Sequence, residues 1–290
     1  MSQGYKLKNS SISYVVPTLN SAATLDMTLL CLRSQKNVDV HIIVVDSGST
    51  DGTLNICKRW DVKTLYAEPG NMYRAINTGL RECDTEWLAY LNSDDWLYPD
   101  SVARLLAQGN TSKADVVYGN CDFTDVCGRF MYSFAPPKPS QLISTSRTGV
   151  LGFAQQSAIF RYQLYKNLTG FNEVYHFSAD KEFYLRALQI GASFTFLPGS
   201  PVACFRLHTN QISNRQGKLM AEESKKINPQ VVGNPSFYDW VVTLQWRWTN
   251  LPHYLLRFLR QSLLSRRMTM SKSMSSGTHL DNVPQVISND

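Results

Sequence analysis

Two carboxylates stand side by side at Asp94 and Asp95, where the apolar run Trp87 to Leu91 breaks off into Asn92-Ser93-Asp94-Asp95. Adjacent carboxylates repel each other unless something positive sits between them and a ligand. A divalent cation carrying a diphosphate meets that need, because hard oxygen ligands suit Mg2+ or Mn2+. A third carboxylate, Asp46, closes another apolar run, His41 to Val45, ahead of the polar string Ser47-Gly48-Ser49-Thr50-Asp51-Gly52. The plain alternative at both places is a solvated turn that ends a strand. Cys204 and His208 are four apart in the sequence, but without further thiol or imidazole partners they do not make a zinc site.

Those carboxylates share a site only if the elements that carry them line up. Ile12 to Val16, His41 to Val45, Val62 to Tyr66, Trp87 to Leu91 and Asp115 to Tyr118 read as buried strands. Between the first two, Ala22 to Gln35 has helical spacing, with Leu25, Leu29 and Leu32 on one face. Further helices are predicted from Thr53, over Met72 to Arg81 and over Pro99 to Ala107, the first of them capped by Thr50 or Asp51. Strands alternating with helices imply an α/β fold, a mostly parallel, Rossmann-like sheet covered on both faces. Right-handed crossovers then set the loops after Val16, Val45 and Leu91 along one edge, so Asp46, Asp94 and Asp95 share a rim.

Beyond Asn120 the texture changes. Cys121 to Phe134 alternates like a hairpin around Asp125-Val126-Cys127-Gly128, and Ala135 to Gly149 is a Pro- and Ser-rich loop before an apolar strand over Leu151 to Phe160. A helix is predicted from Asp180 to Gln189, with Gly191 at its end, then strands over Ser193 to Leu197 and Val202 to Phe205.

With 290 residues, 43% hydrophobic and 18% charged, the chain can bury one substantial core with a small addition. The opening MSQGYKLKNSS has no apolar centre of a signal peptide, and no apolar run reaches the roughly 18 residues that span a bilayer. The six cysteines form no C-x-x-C pair and are expected to be reduced core residues of a cytoplasmic protein. Glycine fingerprints of dinucleotide and P-loop proteins are absent, as is a G-x-S-x-G elbow. What remains is a carboxylate-rich rim, suited to a nucleotide held through a metal.

Taken together, the strings VVPTLN (Val15 to Asn20), VVDSGSTDGT (Val44 to Thr53), YRAINTGL (Tyr73 to Leu80) and YLNSDDWLYP (Tyr90 to Pro99) form a recognisable series. FSADKEFYLRALQIG (Phe177 to Gly191) and FRLHTNQIS (Phe205 to Ser213) complete it. In order and spacing the chain resembles glycosyltransferase family 2, the inverting, nucleotide-sugar-dependent transferases of GT-A fold, which include rhamnosyl- and glucosyltransferases. The resemblance implies a small antiparallel addition on the acceptor side of the sheet, and a metal ion, Mg2+ or Mn2+.

The same resemblance implies roles for individual residues. Asp46 would hydrogen-bond the nucleotide base, with Pro17 and Thr18 flanking it through their backbone and Asn20 close by. Asp94 falls near the ribose and Asp95 on the metal that bridges the two phosphates. Asp180 takes the place of the catalytic base, although many members carry a second acid where this chain has Ala179. His208 matches a histidine that joins the metal site, and Arg206 would help neutralise the diphosphate. The family run Asp-x-Gly-x-x-Asp-Ala-x-Asn departs here: its first Asp is missing and Arg74 replaces its second. An arginine there either pairs with a donor phosphate or faces solvent on its helix.

The expected partners are a nucleotide-sugar donor and a glycan or lipid-linked acceptor. Residues 1–235 are expected to form the transferase domain, its donor half over 12–120 and its acceptor half over 121–235. Residues 236–267 would form a basic amphipathic helical segment, and 268–290 a disordered tail. From Arg247 to Lys272 there are six basic residues and no acid, beside Trp246, Trp248 and a stripe of leucines. Such a helix either lies on an anionic membrane, giving a peripheral location at its inner face, or packs back on the domain. Nucleic-acid binding is not expected, since the basic residues gather in one tail without a recognition motif. Two rivals remain. A sugar-phosphate nucleotidyltransferase would carry a Gly-rich basic loop after the first strand, where Pro17-Thr18-Leu19-Asn20 has neither. A non-catalytic nucleotide-binding scaffold would have no need of Asp180.

Overall fold

The computed structural model describes residues 11–208, 211 and 216–259. Its first half follows the alternation that the hydrophobic pattern predicts. β1 (Ser11–Thr18), α1 (Leu25–Arg33), β2 (Asp39–Asp46), α2 (Thr53–Arg59), β3 (Lys63–Tyr66), α3 (Met72–Leu80) and β4 (Trp87–Tyr90) come in that order. A short strand, β5 (Trp96–Leu97), then precedes α4 (Ser101–Ser112), β6 (Val116–Gly119) and the hairpin of β7 (Cys121–Thr124) and β8 (Phe130–Phe134). There follow α5 (Leu142–Arg147), β9 (Ala158–Arg161), α6 (Tyr162–Asn167), α7 (Ala179–Gln189), β10 (Phe194–Leu197) and β11 (Ala203–Arg206). Two longer helices, α8 (Gly217–Val231) and α9 (Phe237–Thr249), come next, and residues 251–259 are also helical.

The main sheet has seven strands in the order β10-β6-β9-β4-β1-β2-β3, and only β9 runs against the rest. Apolar β1 and β4 lie near its middle because both of their faces are covered by helices. One core joins β1, β2 and β4 to α1, α2 and α4; the other joins the opposite face to α3, α6 and α7. Gly79 lets α3 lie flat on the sheet, since a Cβ there would come within 2.6 Å of Val15 Cγ1. Pro17 has no N–H, so the ladder between β1 and β4 stops after Leu91 N donates to Val15 O.

Several expectations change. The second sheet, β5-β11-β7-β8, is mixed rather than antiparallel, because β11 pairs parallel with β7. Ala135 to Gly149 is not a loop throughout but holds a 3-10 turn, Pro139–Gln141, and α5. The strand expected from Leu151 shrinks to β9, because Gly152 sits at a φ of 86° and a 3-10 turn occupies Gln155–Ser157. Cys127 is exposed at the hairpin tip, while the other five cysteines are buried as expected. The C-terminal segment packs back on the domain through Trp246 and Asn250, whose side chains donate to Ala135 O. The part of that segment beyond residue 259, and the tail, lie outside the described residues. Among those described, no helix is long and apolar enough to cross a membrane.

Candidate functional site

The rim is knit together by the polar residues that end β1, β2 and β4. Asn20, at a φ of 52°, accepts from Thr50 N through Oδ1 and donates its own N–H to Ser49 Oγ at 2.8 Å. Ser21 N donates to Thr53 Oγ1, and Ser21 Oγ shares a 2.8 Å hydrogen bond with Ser93 Oγ of the third loop. Asp51 accepts from Thr53 N and Ala22 N and so ties two loops, while the cap position of α2 falls to Gly52 rather than to Thr50 or Asp51. Asp46 is 3% exposed, and its carboxylate accepts from Gly48 N, Ser49 N, Ser49 Oγ and Thr18 Oγ1. These four donors fill the lone-pair positions of a carboxylate. Its carboxylate shapes its own loop.

Asp94 and Asp95 face opposite ways. Asp94 is partly open, and His208 Nε2 meets its Oδ2 at 2.8 Å. Asp95, expected on a metal, is wholly buried. Its Oδ1 accepts from Arg206 N at 3.0 Å, and its Oδ2 accepts from Gln156 Nε2 at 2.7 Å and Asn92 Nδ2 at 3.2 Å. Burial first, then the Asp94 charge, push its carboxyl well above the usual range. Asp95 ties the strand-end turn to β11. The Arg206 guanidinium lies 5.0 Å over the Trp96 ring, and its buried Nε has no hydrogen-bond partner among the described residues. Asn92 Oδ1 is likewise buried and unpartnered.

Asp180 opens α7 on the other side of the cleft. Tyr73 O–H donates to its Oδ1 at 2.9 Å, and Lys181 N donates to the same oxygen at 2.8 Å. Among the described residues no hydrogen bond goes to Oδ2, which leaves that oxygen for chemistry. Burial raises the Asp180 carboxyl above its ordinary value, against these donors and the Lys181 charge. Burial first, then the Asp180 charge, raise the Tyr90 phenol at the end of β4 above its usual range. The two halves of the chain meet where Tyr73 donates to Asp180 and where His208 meets Asp94.

The loop before α7 is held from outside by α8. Glu223 accepts from His176 N through Oε1 and from Phe177 N and Ser178 N through Oε2. Arg74 lies partly exposed on α3, 3.6 Å from Glu173 Oε2.

A family model described as Glycosyl transferase family 2 matches residues 13–182, more than half of the chain. The chain belongs to glycosyltransferase family 2. Among curated relatives, "Glycosyltransferase GlyA" of Streptococcus pneumoniae is 32% identical over 43% of this chain, and the match spans only 19% of GlyA. A "PGL/p-HBAD biosynthesis glycosyltransferase" of Mycobacterium bovis is 28% identical over 63% of this chain and 72% of its own length. Of solved structures, Staphylococcus aureus TarS aligns with a TM-score of 0.57 and 20% identity, over 77% of this chain and 43% of TarS. The mannosyltransferase PcManGT of Pyrobaculum calidifontis, solved with GDP-Man and Mn2+, aligns with a TM-score of 0.58 and 18% identity, over 93% of this chain and 77% of its own. At such identities the likeness is one of fold, and the fold is GT-A.

In this family 2 chain the match stops two residues past Asp180, so His208, α8 and α9 lie beyond it. Sequence reasoning passed over Tyr73, Gln156 and Glu223. Tyr73 sits inside the quoted string YRAINTGL, where a phenol beside a matched base is a readable signal. Glu223 stands among Glu222, Lys225 and Lys226, and nothing in that pattern separates it from a solvated helix face.

Proposed function

We propose that this protein moves a sugar from a nucleotide-sugar donor to a hydroxyl of a glycan or lipid-linked acceptor, with inversion at the anomeric carbon. The observation that carries the proposal is the joining of the two halves of the chain at polar groups, Tyr73 to Asp180 at 2.9 Å and Asp94 to His208 at 2.8 Å. Asp180 Oδ2 takes the proton from the acceptor hydroxyl while that oxygen attacks the anomeric carbon. The bond to the nucleoside diphosphate breaks on the opposite face, and its electron pair leaves with the diphosphate. Tyr73 O–H and Lys181 N–H hold Oδ1 and so orient the base. Asp46, Thr18 and Pro17 line the place for the nucleotide base, with Asn20 bracing the loop that carries them.

The residues present fit a divalent cation, with one change of ligand. Asp94 and His208, not Asp95, are the protein groups proposed to hold it, since a hard cation takes one or two protein ligands plus phosphate oxygens. Among the described residues no group of three or more His, Cys, Asp or Glu could hold a metal ion by itself. When bound, the cation supplies Lewis-acid stabilisation of the growing diphosphate charge. Arg206 lies beside this site, on the strand that leads to His208.

Membrane contact is part of the proposal. Phe237, Trp240, Leu244, Trp248, Leu251 and Leu255 are all exposed, and they recur at helical spacing along α9 and the helical residues after it. With Arg247 and Arg257 nearby and no acid from Trp240 to Lys272, this face suits an anionic surface where a lipid-linked acceptor resides.

The test is release of nucleoside diphosphate from a panel of sugar nucleotides with Mn2+ and acceptor extracts, with and without EDTA. Metal-dependent release is expected, with NMR of the product showing the anomer opposite to the donor's. No release from any donor, or a retained anomer, overturns the reading.

A further inference from the structure

Lys181 follows the proposed base in the chain, and no carboxylate among the described residues forms an ion pair with it. Its Nζ donates to Gly149 O at 3.1 Å and to Ser224 Oγ of α8. Its backbone N–H donates to Asp180 Oδ1 at 2.8 Å. One residue thus grips the frame around α7 with its side chain and the carboxylate at the start of α7 with its backbone.

Gly149 O and Ser224 Oγ are neutral acceptors, and a neutral donor would serve them without the cost of burying a charge. Burial pushes the Lys181 ammonium down to about 8, against the Asp180 charge that holds it up. On Asp180 burial acts first, to raise the carboxyl. The Lys181 N–H, the Tyr73 O–H and then the Lys181 charge act to lower it. What the cation adds at this place is its effect on the base.

The other charged groups around the start of α7 have tasks of their own. On α8, Glu223 takes the N–H groups of His176, Phe177 and Ser178, and Glu222, Lys225 and Lys226 are exposed. Just before Gly149, Arg147 donates to Val232 O and lies 3.7 Å from Asp239 Oδ2. On α7 itself Glu182 and Arg186 pair at 2.8 Å. From α3 comes Tyr73, whose O–H goes to Asp180.

We infer that Lys181 is a positioning residue for the transfer step. Anchored at Gly149 and Ser224, its side chain fixes the N–H that orients Asp180 Oδ1, and its ammonium favours the ionised form of that base. The inference rests on the proposed transfer reaction and deepens it. Through Lys181, α8 acts on the base although that helix lies beyond the residues matched to the family.

The pH–rate profile of the full chain, read by nucleoside diphosphate release with Mn2+, tests it. Lys181→Met keeps an unbranched stem and removes the charge. Its acid limb is expected to lie roughly one pH unit above the parent's, about a tenfold loss of kcat below the limb, with KM for the donor unchanged. Lys181→Arg restores the charge and is expected to return the limb towards the parent's. A structural staple would change the melting temperature and leave the limb in place, so a superimposable profile for Lys181→Met overturns the inference. A limb that moves equally in both variants does so too. Calorimetry with nucleoside diphosphate checks that each variant is folded. If Lys181→Met does not fold, Ser224→Ala, on a helix that buries little of itself, is read instead. A lowered kcat with unchanged donor affinity then supports the inference, and an unchanged kcat overturns it. A parent that transfers no sugar overturns the transferase reading itself, whereas transfer with an unmoved limb removes Lys181 and leaves that reading standing.

Discussion

His208 and Asp94 meet at 2.8 Å across 114 residues of sequence, and the contact joins the end of β11 to the end of β4. The next residue, Asp95, is turned into the protein and bound by Arg206 N, Gln156 and Asn92. One position in the chain separates a partly open carboxylate from a wholly buried one.

Asp94→Asn is therefore expected to abolish the Mn2+ dependence of nucleotide binding, measured by calorimetry with and without EDTA, while the melting temperature stays near that of the parent. Asp95→Asn is expected to do the reverse. Its amide places a donor against donors at a buried position, a loss of about 1–3 kcal/mol, read as a lowered melting temperature with Mn2+-dependent binding retained.

Asp180→Asn should bind donor normally and lose transfer by roughly 10²- to 10⁴-fold, the usual contribution of a positioned base. Burial raises the Asp180 carboxyl, and the base works only when ionised, so transfer should rise with pH through a value above that of an ordinary carboxylate. The linkage has the opposite sign for stability. A carboxyl with a raised folded pKa favours the folded state in acid, and that contribution is lost as pH climbs through the raised value.

Tyr73→Phe removes a donor that favours the ionised carboxylate. The acid limb of the rate profile is expected to move to still higher pH, with kcat lowered and KM for the donor little changed. A profile superimposable on the parent's would remove Tyr73 from any role in setting the base.

Glu223→Ala leaves the backbone N–H groups of His176, Phe177 and Ser178 without their acceptor. A destabilisation of about 1–3 kcal/mol is expected, together with a fall in kcat, because the freed loop leads directly into Asp180. Unchanged kcat beside a lowered melting temperature would confine Glu223 to a structural role.

Trp240→Ser combined with Trp248→Ser should weaken sedimentation with anionic vesicles and leave neutral vesicles unaffected, as both rings are exposed on α9.

The parts of the fold legible in the sequence are those with one dominant force behind them. β1, β2 and β4 are unbroken apolar runs, and burial on both faces leaves them little choice. β5 escaped notice because its two residues, Trp96 and Leu97, carry no period. α8 buries only Ile227 and Asn228 along its length and contains Pro229, so no apolar face announces it. In the site, the carboxylate-rich rim was readable and its facing was not. Which of two neighbouring aspartates turns outward depends on Gln156 and Arg206, residues distant in sequence that hold Asp95 inward. Arg74 shows the same limit, since its ion-pair partner Glu173 lies far along the chain.

The hairpin joining β7 and β8 carries Cys127, exposed while Cys31, Cys57, Cys83, Cys121 and Cys204 are buried. A thiol-reactive dye therefore attaches at one place without any engineering of the chain. Its neighbour Gly128 lies against Trp96, the ring on which the Arg206 guanidinium rests. A label on that tip is an optical probe one residue from the glycine that faces this indole.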